Sequence, residues 1–268
     1  MTPLRFGIMG FGTKLAAWEA RCVRQLVEEG LGEPALLIVN PVDELEPVRN
    51  PAWKRFGTLV RSSNALWISY ERMMEPRMEA LKPLEASGLL KSAARITCSP
   101  DRKGKFSEYF APADVEAIRA YNLDFILRFA YNIIRGDILQ AARYGVWSFH
   151  HDDEEKYRGG PPGFWEIYHG DPQTGAVLQR LTDRLDGGII LKKGSFPTNF
   201  HSWARNRDVG LWGSAGWPCE VCREILRGDY VETEPSRSAA PVFRSPTNAQ
   251  MLQYVLRSCW FAARREKS

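Results

Sequence analysis

No apolar run in the sequence reaches the roughly 18–20 residues a membrane-spanning helix needs. The opening Met1-Thr2-Pro3-Leu4-Arg5 leads straight into a strand-like segment, with none of the features of a secretory leader. These absences predict a cytoplasmic chain without a membrane partner. Cysteine is sparse and odd in number, five in 268 residues, which argues against a disulfide framework and for reduced thiols. Cys219-Glu220-Val221-Cys222 is a single CxxC with no second pair, and His201 is the only histidine near it on that side of the chain. A zinc site is therefore short of ligands, buried free thiols are the better reading, and no metal is expected. Nor is there a dense Lys/Arg block. The net charge of +4 is mild, and nucleic acid is not indicated as a partner.

The chain does carry α/β patterning. Residues 4–10 read as a buried strand, 15–29 as a helix with Ala16, Cys22, Leu26 and Val27 on its apolar side, and 35–40 as a second strand. Strand, glycine turn, helix and strand make a parallel, doubly wound unit. Its glycines fall as Gly7-x-x-Gly10-x-Gly12, not GxGxxG, and the second strand closes on Asn40-Pro41 without an acidic residue. A tight turn explains these glycines better than a dinucleotide does. The stretch 41–102 is harder to read: 64–70 suits a strand or a helix start, and 94–98 a further strand. A helix over 113–121, a strand leading to residues 129–132, and a helix from Gly136-Asp137 through Ala142 complete the first half.

The centre of the chain is the stretch from Tyr144 to Leu191. An apolar strand delivers His150 at its carboxyl end; a charged run, 151–158, and Gly159-Gly160-Pro161-Pro162 follow. A short aromatic helix around Phe164 and Trp165, an apolar run over 176–181, and Leu185-Asp186-Gly187-Gly188 come next. An imidazole at a strand end and an aspartate on a glycine-rich loop suit a general acid/base held by a carboxylate, although spacing alone does not bring them together. Adjacent His151, Asp152 and Asp153 rarely converge on one ion, so a solvated loop is expected, with contact to an amine-bearing substrate as its other use.

Ser148-Phe149-His150, Tyr157-Arg158-Gly159, Pro162-Gly163-Phe164-Trp165, Thr174-Gly175 and Leu185-Asp186-Gly187-Gly188 keep the order and spacing of a known motif set. In these residues the chain resembles the folate-dependent formyltransferases, which act on glycinamide ribonucleotide, methionyl-tRNA and sugar amines. The resemblance implies an α/β fold with a doubly wound, mostly parallel sheet, a Rossmann variant, over residues 1–198. A short, mainly helical C-terminal extension covers 199–268. It implies 10-formyltetrahydrofolate as formyl donor and a primary amine of a small molecule, such as a nucleotide-linked amino sugar, as acceptor. His150 is then the base and oxyanion partner, and Asp186 its orienter or proton relay. Phe129, Ala130, Tyr131, Asn132, Leu185 and Gly187 are expected to hold the folate. Gly10, Gly12, Lys14, Asn132, His151, Tyr157 and Arg158 are expected beside the acceptor.

One departure stands out. The family has asparagine where this chain has Ser148, and loss of one oxyanion donor costs about 2.7–4 kcal/mol in comparable sites. Ser148 itself, or the amide of Asn132, is the candidate replacement. Asn132 also stands where the family has glycine, and asparagine tolerates the left-handed conformation such a turn uses.

Past residue 198 the sequence predicts a helix near 218–226, a linker over 234–246 and a terminal helix over 247–264. Strand alternation of the kind a barrel needs is missing, which argues against a transfer-RNA substrate. Trp203, Arg205, Arg207, Trp212 and Trp217 suit core packing, with a pocket wall or a homodimer contact as their other uses. Three functions stay open: an N-formyltransferase, a 10-formyltetrahydrofolate hydrolase, or an inactive formyltransferase-like binding protein.

Overall fold

The apolar run at the amino terminus forms strand β1 (Leu4–Gly10), nearly every side chain of it buried. In the computed structural model, which describes residues 2–41, 62–104, 106–184, 187–233 and 239–265, β1 lies at the middle of a seven-stranded sheet. Helix α1 (Ala17–Glu28) returns the chain to β2 (Gly32–Val39), parallel to β1, and β3 (Ala94–Thr97) adds a parallel edge. After α2 (Ala65–Met74) and α3 (Pro112–Arg119), the chain crosses to the other side of β1. There it forms β4 (Phe125–Arg128) and then β5 (Val146–His150), both parallel to β1. The short α4 (Trp165–His169) precedes β6 (Gln173–Arg180), which runs antiparallel to β5, and β7 (Ile189–Pro197) closes the sheet against β6. The strand order is β7-β6-β5-β4-β1-β2-β3. Because the direction of winding reverses at β1, a crevice opens beyond the carboxyl ends of β1 and β4, the place where doubly wound sheets bind ligands.

The sheet is filled on both faces. Phe6, Phe125 and Trp147 stack across β1, β4 and β5 at centroid spacings of 5.3 and 4.0 Å, beneath Val23 and Leu26 of α1. Val115, Ile118 and Ile138 cover the opposite face. Helices α5 (Trp203–Ser214) and α6 (Trp217–Arg227) belong to the same packing. Helix α5 lies on β6 and β7, and α6 lies against α1, supplying Val221 and Cys222 to the sheet's core. The last helix, α7 (Asn248–Arg265), sits on α2 and α4 around Trp67, Phe164, Trp203 and Tyr254.

Three local expectations need correction. Helix α5 is continuous over residues for which the sequence reading offered no helix. The 136–142 segment forms only a 3-10 turn over Asp137–Gln140, preceded by a short strand, Ile133–Arg135. The left-handed turn after β4 falls on Tyr131, at φ +71°, and not on Asn132. Cys22, Cys98, Cys219 and Cys222 are buried free thiols, and burial pushes the thiol of Cys219 up to about 12. No helix among the described residues is long and apolar enough to cross a membrane.

Candidate active site

A strand shows alternate side chains to opposite faces, and that period, carried through β5 and one residue past it, separates Phe149 and His151 from Ser148 and His150. Phe149 and His151 project one way. Their rings stack at 5.7 Å and 5°, and Trp18 meets each edge-on. His151 Nε2 lies 3.2 Å from Ser214 Oγ, and burial together with Arg207 and His150 holds its imidazole down to about 3. The residue is neutral and built into the packing under α5, away from the role beside an acceptor expected for it.

Ser148 and His150 project the other way, into a cavity of 370 Å³ whose walls include Arg128, Asn132, Gln179 and Arg184. The register places Arg128, Ser148 and Gln179 in one row across β4, β5 and β6. Ser148 is 3 % exposed, and its Oγ accepts a hydrogen bond from Arg128 Nη1 at 2.7 Å. His150, with a quarter of its side chain exposed, ends the strand at the cavity edge. Its Nε2 lies 3.7 Å from Asp152 Oδ2.

Asp152 overturns the picture of a solvated acidic loop. It is 3 % exposed and accepts the Gly163 N–H at 2.8 Å. Burial, and then the neighbouring Glu166 carboxyl, push its carboxyl well above the usual carboxylate range. Glu166, fully buried on α4, is raised to about 7, chiefly by burial. Burial disfavours the charged form of each, and a negative charge on one further disfavours ionisation of the other. The sign of the linkage follows. Glu166 binds its proton more tightly folded than unfolded, so stability is full at acid pH and declines as pH rises from about 4.5 through 7. Glu166→Gln is expected to flatten that decline and to exceed the parent by about 1–3 kcal/mol above pH 7. Urea titrations at pH 5, 6, 7 and 8 measure it; parallel curves for the two proteins would contradict it.

The turn over residues 159–163 closes this side of the cavity. Gly159 adopts φ +94° and pairs with Phe243, and a Cβ there would collide with the Phe243 carbonyl oxygen. Gly159→Ala is expected to cost about 1–3 kcal/mol; an unchanged urea midpoint would contradict that. Arg158 donates from Nε to the Ala240 carbonyl at 2.7 Å, and Tyr157 is buried against His169 and Phe243, so both hold the turn shut.

On the other side lies the crevice beyond β1 and β4, a cavity of 520 Å³ with Phe11, Phe129, Ala130, Tyr131 and Asn132 in its walls. Phe11 is flanked by Gly10 and Gly12, and Gly12 takes φ +83°, the tight turn expected of it. Lys14 sits further along in the short strand Lys14–Ala16, paired with Glu85 and exposed. Asn132 separates the two cavities, but its amide is engaged. Asn132 Nδ2 and N donate to the two Glu108 oxygens at 2.7 and 2.8 Å, so the carboxamide faces Glu108 and not Ser148. Gly187 packs over Arg184, and the hydroxyl of Thr182 donates to the Gly187 carbonyl at 2.9 Å. Leu185 and Asp186 lie outside the described residues. Among the described residues, no cluster of His, Cys, Asp or Glu has the arrangement of a metal site.

Sequence reasoning passed over Arg128, Glu166 and Gln179, and it read Asp152 as solvated. Arg128 did leave a signal, as a charge in the otherwise apolar Phe125-Ile126-Leu127-Arg128 strand. Glu166 left none beyond its place in an aromatic helix.

No protein-family model matches the chain. A methionyl-tRNA formyltransferase from Phenylobacterium zucineum (strain HLK1) is 32 % identical over 124 residues, 46 % of this chain and 40 % of that protein. The chain thus aligns with less than half the length of that relative. Among solved structures, glycinamide ribonucleotide transformylase 1 from Symbiobacterium toebii superposes with a TM-score of 0.55 at 16 % identity, covering 86 % of this chain and 91 % of that one. WlaRD, a sugar 3N-formyl transferase whose crystal structure was determined in the presence of dTDP and 5-N-formyl-THF, gives 0.52 at 12 % identity, covering 95 % and 78 %. Over that shared stretch the chain is similar in sequence to a methionyl-tRNA formyltransferase, and over most of its length it shares the fold of these solved enzymes.

Proposed function

We propose that the protein transfers a formyl group from 10-formyltetrahydrofolate to a primary amine of a small molecule, with a nucleotide-linked amino sugar as the favoured acceptor class. The observation that carries this reading is the shared cavity. His150 and Ser148 line it together with residues 132–135 and with Gln179, Leu181, Thr182 and Arg184, segments flanking the folate contacts that the resemblance assigns. The neighbouring crevice beyond β1 and β4 shares Asn132 with it and carries Phe129, Ala130 and Tyr131 of the expected folate contacts, beside Phe11 of the glycine turn expected near the acceptor.

The chemistry needs few groups. The acceptor nitrogen attacks the formyl carbon, the carbonyl oxygen becomes an oxyanion, and N10 of the folate departs as an amine. Neutral His150 takes the proton from the attacking nitrogen and, once protonated, offers charge to the oxyanion before the proton passes to N10. Ser148 donates its hydroxyl to that oxygen. Asp152 lies nearest the imidazole among the carboxylates described, and Asp186 is assigned the relay on the resemblance. The sugar-amine acceptor is favoured by the likeness to WlaRD, a sugar 3N-formyl transferase.

The test is to incubate the protein with 10-formyltetrahydrofolate and follow release of tetrahydrofolate, with and without a panel of amines that includes nucleotide amino sugars. Amine-dependent release is expected. Release at the same rate without any amine would mean hydrolysis, and no release with intact folate binding would mean a binding protein; either overturns the proposal.

A further inference from the structure

We propose that Arg128 fixes the hydroxyl of Ser148 with its proton turned into the cavity, so that a serine–arginine pair does the work of a carboxamide. The inference rests on the formyl-transfer reading and deepens it. Ser148 alone is a poor oxyanion donor because its hydroxyl rotates freely about Cβ–Oγ. Here Arg128, its lateral neighbour across β4 and β5, donates from Nη1 to Ser148 Oγ at 2.7 Å. That bond occupies a lone pair and leaves the serine proton the remaining directions, away from the guanidinium. A cationic donor also polarises the O–H it binds and strengthens its onward donation.

The guanidinium is itself held still. Its Nη2 donates to the carbonyls of Tyr131 at 2.8 Å and Asn132 at 2.6 Å, in the left-handed turn that ends β4. Among the described residues no carboxylate bonds to Arg128. Glu108, the acid that acts on it through space, is engaged by both nitrogens of Asn132 and by Arg102 at 3.2 Å. Arg128 Nε is buried without a hydrogen-bond partner. A fixed cation with no bonded counter-ion among the described residues, one bond removed from Ser148 and in the same cavity as His150, is set to favour negative charge developing there. Arg128 is thus a positioning residue that acts through Ser148, its partner in register on the neighbouring strand.

The test uses tetrahydrofolate release by the full chain. Arg128→Leu is expected to lower kcat by about 10²-fold or more, the loss of one oxyanion donor, with KM for 10-formyltetrahydrofolate changed less than about threefold. Ser148→Ala should lower kcat by a similar factor, and the double variant Arg128→Leu/Ser148→Ala should fall no further, because the two act as one donor. Arg128→Leu/Ser148→Asn should recover to within about tenfold of the parent, a neutral neighbour with a carboxamide replacing the pair. Should Arg128→Leu fail to fold, Arg128→Lys keeps the charge with one donor direction and should lower kcat by about tenfold. Parent-like kcat in the arginine variants, multiplicative losses in the alanine double variant, or an effect confined to KM would each overturn the pair while leaving formyl transfer standing. An inactive parent protein would overturn formyl transfer, and this inference with it.

Discussion

His150→Ala should lower formyl transfer by about 10²–10⁴-fold, the usual contribution of a positioned general base, and leave the fold almost unchanged. The two halves of that expectation come from different features. The rate loss follows because no second imidazole faces the cavity: His151, next in sequence, points to the opposite side and stays neutral between Trp18, Phe149 and Ser214. The fold survives because the backbone of residue 150 is held by its pairing with Val177, whatever its side chain. Steady-state turnover and a urea titration on the same preparation measure both. A variant within a few-fold of the parent rate would remove His150 from the mechanism. A variant that failed to fold would show that the imidazole supports the structure.

Trp203→Ala should be among the most destabilising single changes outside the sheet, at about 3–5 kcal/mol. The indole is fully buried, with Trp67 at 4.8 Å and Tyr70 at 6.0 Å. Its Nε1 donates to the Pro162 carbonyl at 2.8 Å, which the substitution leaves without that donor. The effect should reach the site. Pro162 and Gly163 lie in the turn whose N–H binds Asp152, and Asn206 holds the Gly163 carbonyl from the same helix at 2.8 Å. Turnover should therefore drop along with stability. Trp203→Phe, which keeps ring packing and loses only the N–H, should lose less of both. A urea midpoint for Trp203→Ala within about 1 kcal/mol of the parent would contradict this account of α5 as the clamp on the turn.

That clamp marks the limit of what the sequence disclosed. Strand β5 was legible because an apolar run followed by a polar residue is a local pattern, and so were β1, β2 and the terminal helix. The resemblance then supplied the cavity's chemistry at Ser148 and His150. The burial of Asp152 was not legible. Histidine, two aspartates and two glutamates in succession read as a solvated loop, and only Gly163, Glu166 and the distant α5 turn Asp152 inward. Composition reports a residue's own preference for water and carries nothing about chain that folds over it from more than fifty residues away. The left-handed turn was misplaced for a related reason. Asparagine is the better left-handed residue by propensity, yet the bonds from Asn132 to Glu108 and from Arg128 to the Tyr131 and Asn132 carbonyls accompany the positive φ at Tyr131. Tertiary hydrogen bonds override a one-residue preference of this size.

Arg128 was legible in principle. A charge inside a four-residue strand with three buried neighbours is a local anomaly, and its meaning depends on the parallel register that sets it beside Ser148.

The most direct measurement follows the carbon itself. With 10-formyltetrahydrofolate labelled with ¹³C in the formyl group and a nucleotide amino sugar as acceptor, ¹³C NMR of the reaction should show the label leaving N10 and appearing as a formamide on the acceptor. Label that accumulates as formate, or that stays on the folate in the presence of active-site concentrations of protein, would contradict the account.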